Sequence, residues 1–238
     1  MIGEGIVLLL VAVIAGLTAR QTLFSERART RRLLRSLKRS PIGSISEGPV
    51  KIAGKLRLAG RSLRAPLSGR TCAVYDVEVI ERRQVDQVIL QDRLACDFLV
   101  DDGTGTALVR VGDGRGGQLE LAIVHDAKYA SGLLKDATAE LERYLSTFGE
   151  KSTATFANRY LRYREGAFEP GEHIVVCGLA RREPDPEGAA ERASYRDAPT
   201  RLVIEALAGK IHLSDEPDVA GSASSAPGDA SRPSGNAS

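Results

Sequence analysis

Any chemistry in this chain would have to come from its cysteines, its histidines or its acidic and glycine-rich turns. Cys72, Cys96 and Cys177 lie far apart and form no Cys-x-x-Cys pair, which excludes a zinc finger. Each sits in or beside an apolar stretch, the setting of a small buried hydrophobe rather than a reactive thiol. His125, His173 and His212 are equally dispersed, and only His125 stands beside an acid, Asp126. Isolated histidines make no recognisable ligand spacing, so neither a metal site nor a catalytic histidine is expected. Asp101-Asp102-Gly103-Thr104-Gly105 lacks the further ligands of a calcium loop and the Gly-Lys-Ser/Thr of a phosphate loop, and reads as a hairpin turn. Gly112-Asp113-Gly114-Arg115-Gly116-Gly117 has the glycine content of a phosphate loop, but no helix follows to present its N-terminus. No Gly-x-Ser-x-Gly elbow occurs. The expected inventory is no catalytic residue, no metal ligand and no cofactor.

The elements that would position a site are mostly strands. Apolar residues at 42% can build a core, while 27% charged residues exclude a polytopic membrane protein. The absence of Trp, 5% aromatic residues and 24 glycines suit a β-rich domain with many tight turns. Val50 to Leu58 alternates, with Val50, Ile52, Leu56 and Leu58 on one face and Lys51, Lys55 and Arg57 on the other, which predicts a half-buried strand. Strands are also expected over Cys72 to Arg82, Phe98 to Val100, Ala107 to Val111, Gln118 to Val124, Tyr160 to Glu165, Ile174 to Arg182, Arg201 to Leu207 and Lys210 to Leu213. Between Ala137 and Phe148 there is no Gly or Pro, and Leu141, Tyr144, Leu145 and Phe148 share one helical face. That stripe is expected to be core, with a partner-binding surface as its alternative. The predicted class is mainly β, a small barrel or sandwich with one or two helices, because many short strands must close or stack to protect their edges.

The N-terminus is different. No charge appears from Gly5 to Ala19, and the apolar run extended to Met1 is about 19 residues, close to the ~20 that span a bilayer. The only side-chain charge before the run is Glu4, whereas a cleaved signal peptide would start with positive charge, so a retained anchor is expected. Eight basic residues and one acid between Arg20 and Arg39 give that segment +7, which leaves −5 on the remainder of a +2 chain. Basic residues abutting an anchor stay on the cytoplasmic side, so the N-terminus faces out and the main domain is cytoplasmic, at a bacterial inner membrane. That placement argues against disulfides. Arg27, Arg29, Arg31, Arg32, Arg35, Lys38 and Arg39 lie on an expected helix and could meet anionic lipid headgroups, or merely set topology. A mildly acidic body argues against nucleic acid as a partner. The expected organisation is an anchor over 1–20, a basic juxtamembrane helix over 21–40, a mainly β domain over 41–214 and a disordered Ser/Ala/Gly/Pro tail over 215–238.

Several segments, taken in order, resemble a known family. They are Gly48-Pro49-Val50 leading to Gly54, Ala65-Pro66-Leu67-Ser68-Gly69 followed by Cys72-Ala73-Val74-Tyr75, Phe98-Leu99-Val100-Asp101-Asp102 with Gly105, and Glu165 with Pro170-Gly171-Glu172 and Gly178. Over roughly Ile45 to Leu213 the chain is similar to the GIDE or BAM ("beside a membrane") domain. That domain is found in MULAN-type membrane-anchored E3 ubiquitin ligases and in bacterial membrane proteins. In the ligases ubiquitin transfer belongs to a zinc-binding RING finger, which no residue here matches. The resemblance therefore implies a non-enzymatic membrane-proximal module that binds a protein partner or itself. A ligase-like transferase, an unknown hydrolase and a periplasmic binding module are the alternatives. A clustered set of His, Cys and carboxylate side chains would favour an enzyme.

Overall fold

The computed structural model describes residues 27–112, 118–132, 136–153, 158–185, 199–217 and 219. The predicted anchor and most of the tail lie outside them. Among the described residues no helix is long and apolar enough to cross a membrane.

The described residues are mainly β with two helices, α1 over 27–36 and α2 over Ala139–Thr147. Its strands are β1 (Gly48–Leu58), β2 (Leu63–Arg64), β3 (Thr71–Cys72), β4 (Val74–Glu81), β5 (Gln87–Ala95), β6 (Phe98–Asp101), β7 (Thr106–Val109), β8 (Leu119–Ala122), β9 (Ala127–Ser131), β10 (Leu161–Phe168), β11 (His173–Pro184), β12 (Thr200–Glu205) and β13 (Ile211–Ser214). Five of them form a closed ring, β1-β6-β7-β12-β11 and back to β1. All its neighbours are antiparallel except β7 and β12. That order is the five-stranded Greek-key barrel of the OB topology, which by itself carries no function. β13 extends the sheet from β11, and β8 lies parallel beside β13.

Closure depends on β1 changing partners. Gly48 to Lys55 pair with β11, and Lys55 to Leu58 pair with β6. At the corner, a Cβ on Gly54 would lie 2.4 Å from the Asp101 carbonyl oxygen, so only glycine lets the strands meet there. The turn between β6 and β7 is the expected hairpin. Asp102 accepts the backbone N–H groups of Thr104 and Gly105 and also that of Ile42, tying the chain ahead of β1 to the turn.

A second sheet, β5-β4-β10-β9, packs beside the barrel. Ile52, Leu56, Phe98, Val100, Val176 and Ile204 of the barrel join Val77, Val79, Tyr163 and Phe168 of the second sheet in one core. Leu141, Tyr144 and Leu145 of α2 belong to it, so the expected core role of that stripe holds for these three, while Phe148 stays half exposed and meets the Tyr144 ring edge-on. Thr138 caps α2 by accepting the Leu141 N–H. Tyr144 and Tyr75 both donate to Asp92, which fixes α2 over the second sheet.

The half-buried reading of β1 needs correction. Lys51 is only 4% exposed and Ala53 is fully buried, because α1 lies on the outer face of the barrel. Leu34, Ala53, Val175, Cys177 and Val219 form a small second core there. Lys51 Nζ donates to the carbonyls of Leu34, Leu37 and Val219, matching all three ammonium protons to carbonyls at the C-terminal end of α1 and near the end of the body. Composition places residues from 215 onward in the tail, yet Val219 is buried and Asp215 accepts the Val124 N–H at 2.9 and 3.1 Å.

Burial raises Asp215 from its ordinary 3.8 to about 6, and the Val124 N–H only partly opposes this. A carboxyl raised on folding contributes stability below its unfolded value, and that contribution is lost as pH rises through about 6. Asp215→Asn keeps an acceptor for Val124 without the buried charge. It should therefore raise stability at pH 8 by roughly 1–3 kcal/mol, with the gain vanishing towards pH 4, as read from urea midpoints at both pH values.

Candidate functional site

Asp76 and Glu78 alternate with valines on β4, and two-residue spacing puts both carboxylates on the face away from the Val77 and Val79 side of the core. All eight residues of β4 are buried, so these acids are 0% and 4% exposed rather than solvated. Arg93 and Gln91 stand opposite them on β5. Arg93 Nε donates to Asp76 Oδ1 at 3.0 Å, and Gln91 reaches the same oxygen at 3.4 Å. Arg93 also bonds the Leu119 carbonyl, joining the second sheet to β8.

His125 arrives from the segment after β8. That segment lies close against β10 because Gly166, opposite Asp76 in register, has no side chain. A Cβ there would meet the Val124 carbonyl oxygen at 2.7 Å and Ile123 Cγ1 at 2.8 Å. His125 Nε2 then lies 2.9 Å from Asp76 Oδ2. The tautomer with Nε2–H donating suits an ionised Asp76. Burial on its own would raise the Asp76 carboxyl, but the His125 hydrogen bond and the charges of Arg93 and Arg27 outweigh it and hold Asp76 well below the usual carboxylate range.

The last member comes from α1. Arg27 Nη2 lies 2.7 Å from Glu78, 3.2 Å from Asp76 and 3.2 Å from His125 Nε2. With His125 neutral, two carboxylates face two guanidiniums and the cluster has no net charge. One helical turn on, buried Thr30 donates to Glu120 at 3.3 Å, and Glu120 also meets His212 at 3.5 Å. Asp76, Glu78 and His125 are the group among the described residues whose donor atoms could hold a metal ion.

Of the seven basic residues expected at a membrane surface, Arg27 is turned into this cluster and Arg31 pairs with Glu216. Arg29, Arg32, Arg35 and Lys38 are exposed, and Arg39 is partly buried and pairs through its backbone with Lys51 of β1. Cys72, Cys96 and Cys177 are buried free thiols, and burial pushes Cys72 up to about 12, where no reactive thiolate forms. His173 lines an open groove of about 810 Å³ with Arg39, Lys55, Arg57 and Asp101.

Another groove, of about 830 Å³, runs over β6, β7 and β12 and is lined by Arg110, Arg182 and Arg201 but by no aromatic side chain. Arg110 is paired with Glu183 and Glu205, and Arg201 with Glu183. At Arg110 and Arg201 phosphates would therefore have to displace carboxylates, and bases would find no aromatic ring to stack on.

The sequence reading notes only that His125 stands beside Asp126, and it misses the partner Asp76, 49 residues away. Asp126 instead forms a two-pronged pair with Arg70. The one available signal was two acids inside a strand otherwise rich in valine, a pattern that calls for a buried cation. No known family, no curated protein and no solved structure matches this chain.

Proposed function

We propose that this chain is a single-pass membrane-anchored, non-enzymatic module, tethered by the apolar run before residue 20, that binds a protein partner at the membrane surface. The observation that carries the reading is the docking of α1. The helix that follows the apolar run is part of the folded body, with Leu34 fully buried and Arg27 and Arg31 paired to carboxylates of that body. Seven residues, 20–26, separate the run from α1, and even fully extended they reach only about 25 Å. The body is thereby kept beside the bilayer. Exposed Arg29, Arg32, Arg35 and Lys38 supply positive charge suited to anionic headgroups. The resemblance to the GIDE or BAM domain supports the same role.

The enzyme alternative has one observation in its favour, the clustering of His125, Asp76 and Glu78. Against it, His125 Nε2 is taken up by Asp76 and Arg27, and no hydroxyl or thiol stands against that nitrogen among the described residues. The anchored reading is tested by carbonate extraction of bacterial membranes together with a reporter fused after Ser238. The full chain should stay in the pellet, a chain lacking residues 1–20 should be released, and the fused reporter should fluoresce as a cytoplasmic protein. Extraction of the full chain by carbonate, or alkaline phosphatase activity from the same fusion point, would overturn it.

A further inference from the structure

Beneath the first turn of α1, donor atoms from separate segments converge on one point, and a single nitrogen occupies it. Asp76 Oδ2, Glu78 Oε1 and His125 Nε2 lie within 4.8 Å of one another, and Arg27 Nη2 contacts all three at 2.7–3.2 Å. The Asp76, Glu78 and His125 side chains are at most 7% exposed, and that of Arg27 is 25% exposed. Two carboxylates and an imidazole are ligands of the Zn²⁺ class, whose bonds of about 2.0–2.2 Å put neighbouring donors roughly 3.3 Å apart. Asp76 and His125 are already 2.9 Å apart.

The surroundings resemble those of a held ligand set. Arg93 and Gln91 take up Asp76 Oδ1, which turns Oδ2 towards the shared point. Gly166 admits the segment that delivers His125. The guanidinium filling the point is imperfectly accommodated, since Arg27 Nε is buried without a hydrogen-bond partner, and an unsatisfied buried donor weakens its hold.

We propose that Asp76, Glu78 and His125 form a site for a divalent transition cation of the Zn²⁺ class, closed in this state by the Arg27 guanidinium, so that cation binding and docking of the first turn of α1 exclude one another. The cation takes the place of Arg27 Nη2, the ring proton of His125 moves from Nε2 to Nδ1 so that Nε2 can ligate, and Arg27 moves out with its turn of helix. A dication in place of a guanidinium adds one positive charge next to Arg93, which keeps the affinity modest and the exchange reversible. This site is independent of the membrane reading, and its test does not depend on an anchor.

The test uses the full chain purified in detergent, with Co²⁺ as the spectroscopic probe and Zn²⁺ as competitor. Arg27→Gln should bind one Co²⁺ per chain with the visible absorption of a low-coordinate site. Its affinity should exceed that of wild type roughly tenfold or more, because in wild type only chains with Arg27 displaced can bind. Zn²⁺ should remove the signal, and adding His125→Ala should abolish it. In wild type, saturating Zn²⁺ should accelerate trypsin cleavage after Arg27, a measurement that needs no variant and decides the matter if Arg27→Gln does not fold. Absence of a Co²⁺ spectrum in folded Arg27→Gln, equal affinity in wild type and Arg27→Gln, a signal that survives His125→Ala, or trypsin cleavage indifferent to Zn²⁺ would each overturn the proposal.

Discussion

Asp76→Ala should lower the stability of the body by about 3–5 kcal/mol, the cost of removing one partner of a buried ion pair and leaving the other uncompensated. Arg93, whose side chain is 9% exposed, loses the carboxylate it donates to, His125 loses its own in the same step, and Arg27 is left with Glu78. The loss depends on pH with a definite sign. Asp76 is held below its ordinary 3.8 in the folded state, so its contribution is present above that value and is lost as pH falls towards the folded value. Wild type and variant should differ most near pH 7 in urea midpoint, and the gap should narrow below about pH 4. A gap that stays constant down to pH 3 would show that Asp76 acts through packing alone.

Leu145→Ala is the second large effect, with an expected loss of about 2–4 kcal/mol. Leu145 is fully buried in the main core, between α2 and the second sheet, with Leu141 and Tyr144 beside it. Removing its branched end leaves a cavity under a nine-residue helix, too short to hold its own structure without tertiary contacts. Phe148→Ala is the internal control. Phe148 is 48% exposed and meets the Tyr144 ring edge-on, so its loss should be at most about 1 kcal/mol. Thermal melts of both variants check the ordering. Equal effects at the two positions would mean that α2 is not seated as the structure has it.

The strands that periodicity missed share a reason. β9, Ala127–Ser131, is an edge strand with three successive exposed residues, so only one neighbour shapes its pattern. β5, Gln87–Ala95, is intermediate over most of its length, and its Gln91 and Arg93 serve the polar cluster rather than solvent. An alternating pattern identifies a strand when one face is dry and the other wet. Both β4 and the first half of β1 are covered on two sides, and there a polar residue signals an ion pair or a helix end, as Asp76 and Lys51 do.

What the amino-acid sequence determined by itself is local. Apolar alternation set the strands β1 and β4, and apolar runs bounded by turn residues set β6, β7 and β11. Asp102 with Gly103 and Gly105 set the hairpin, and the spacing of Leu141, Tyr144 and Leu145 set α2. These follow from side-chain direction and backbone freedom over a few residues, which nearest neighbours decide. Only the tertiary structure decided that β7 pairs in parallel with β12 to close the ring, that α1 lies on β1 and β11, and that Arg27, Asp76 and His125 meet. Arg27 and Asp76 are 49 residues apart, as are Asp76 and His125. Nothing in the local pattern of a basic helix distinguishes an arginine that faces lipid from one that fills an acidic pocket. That choice belongs to burial: once Asp76 and Glu78 are taken out of water, their charges require a cation close by, and α1 is the element that brings one.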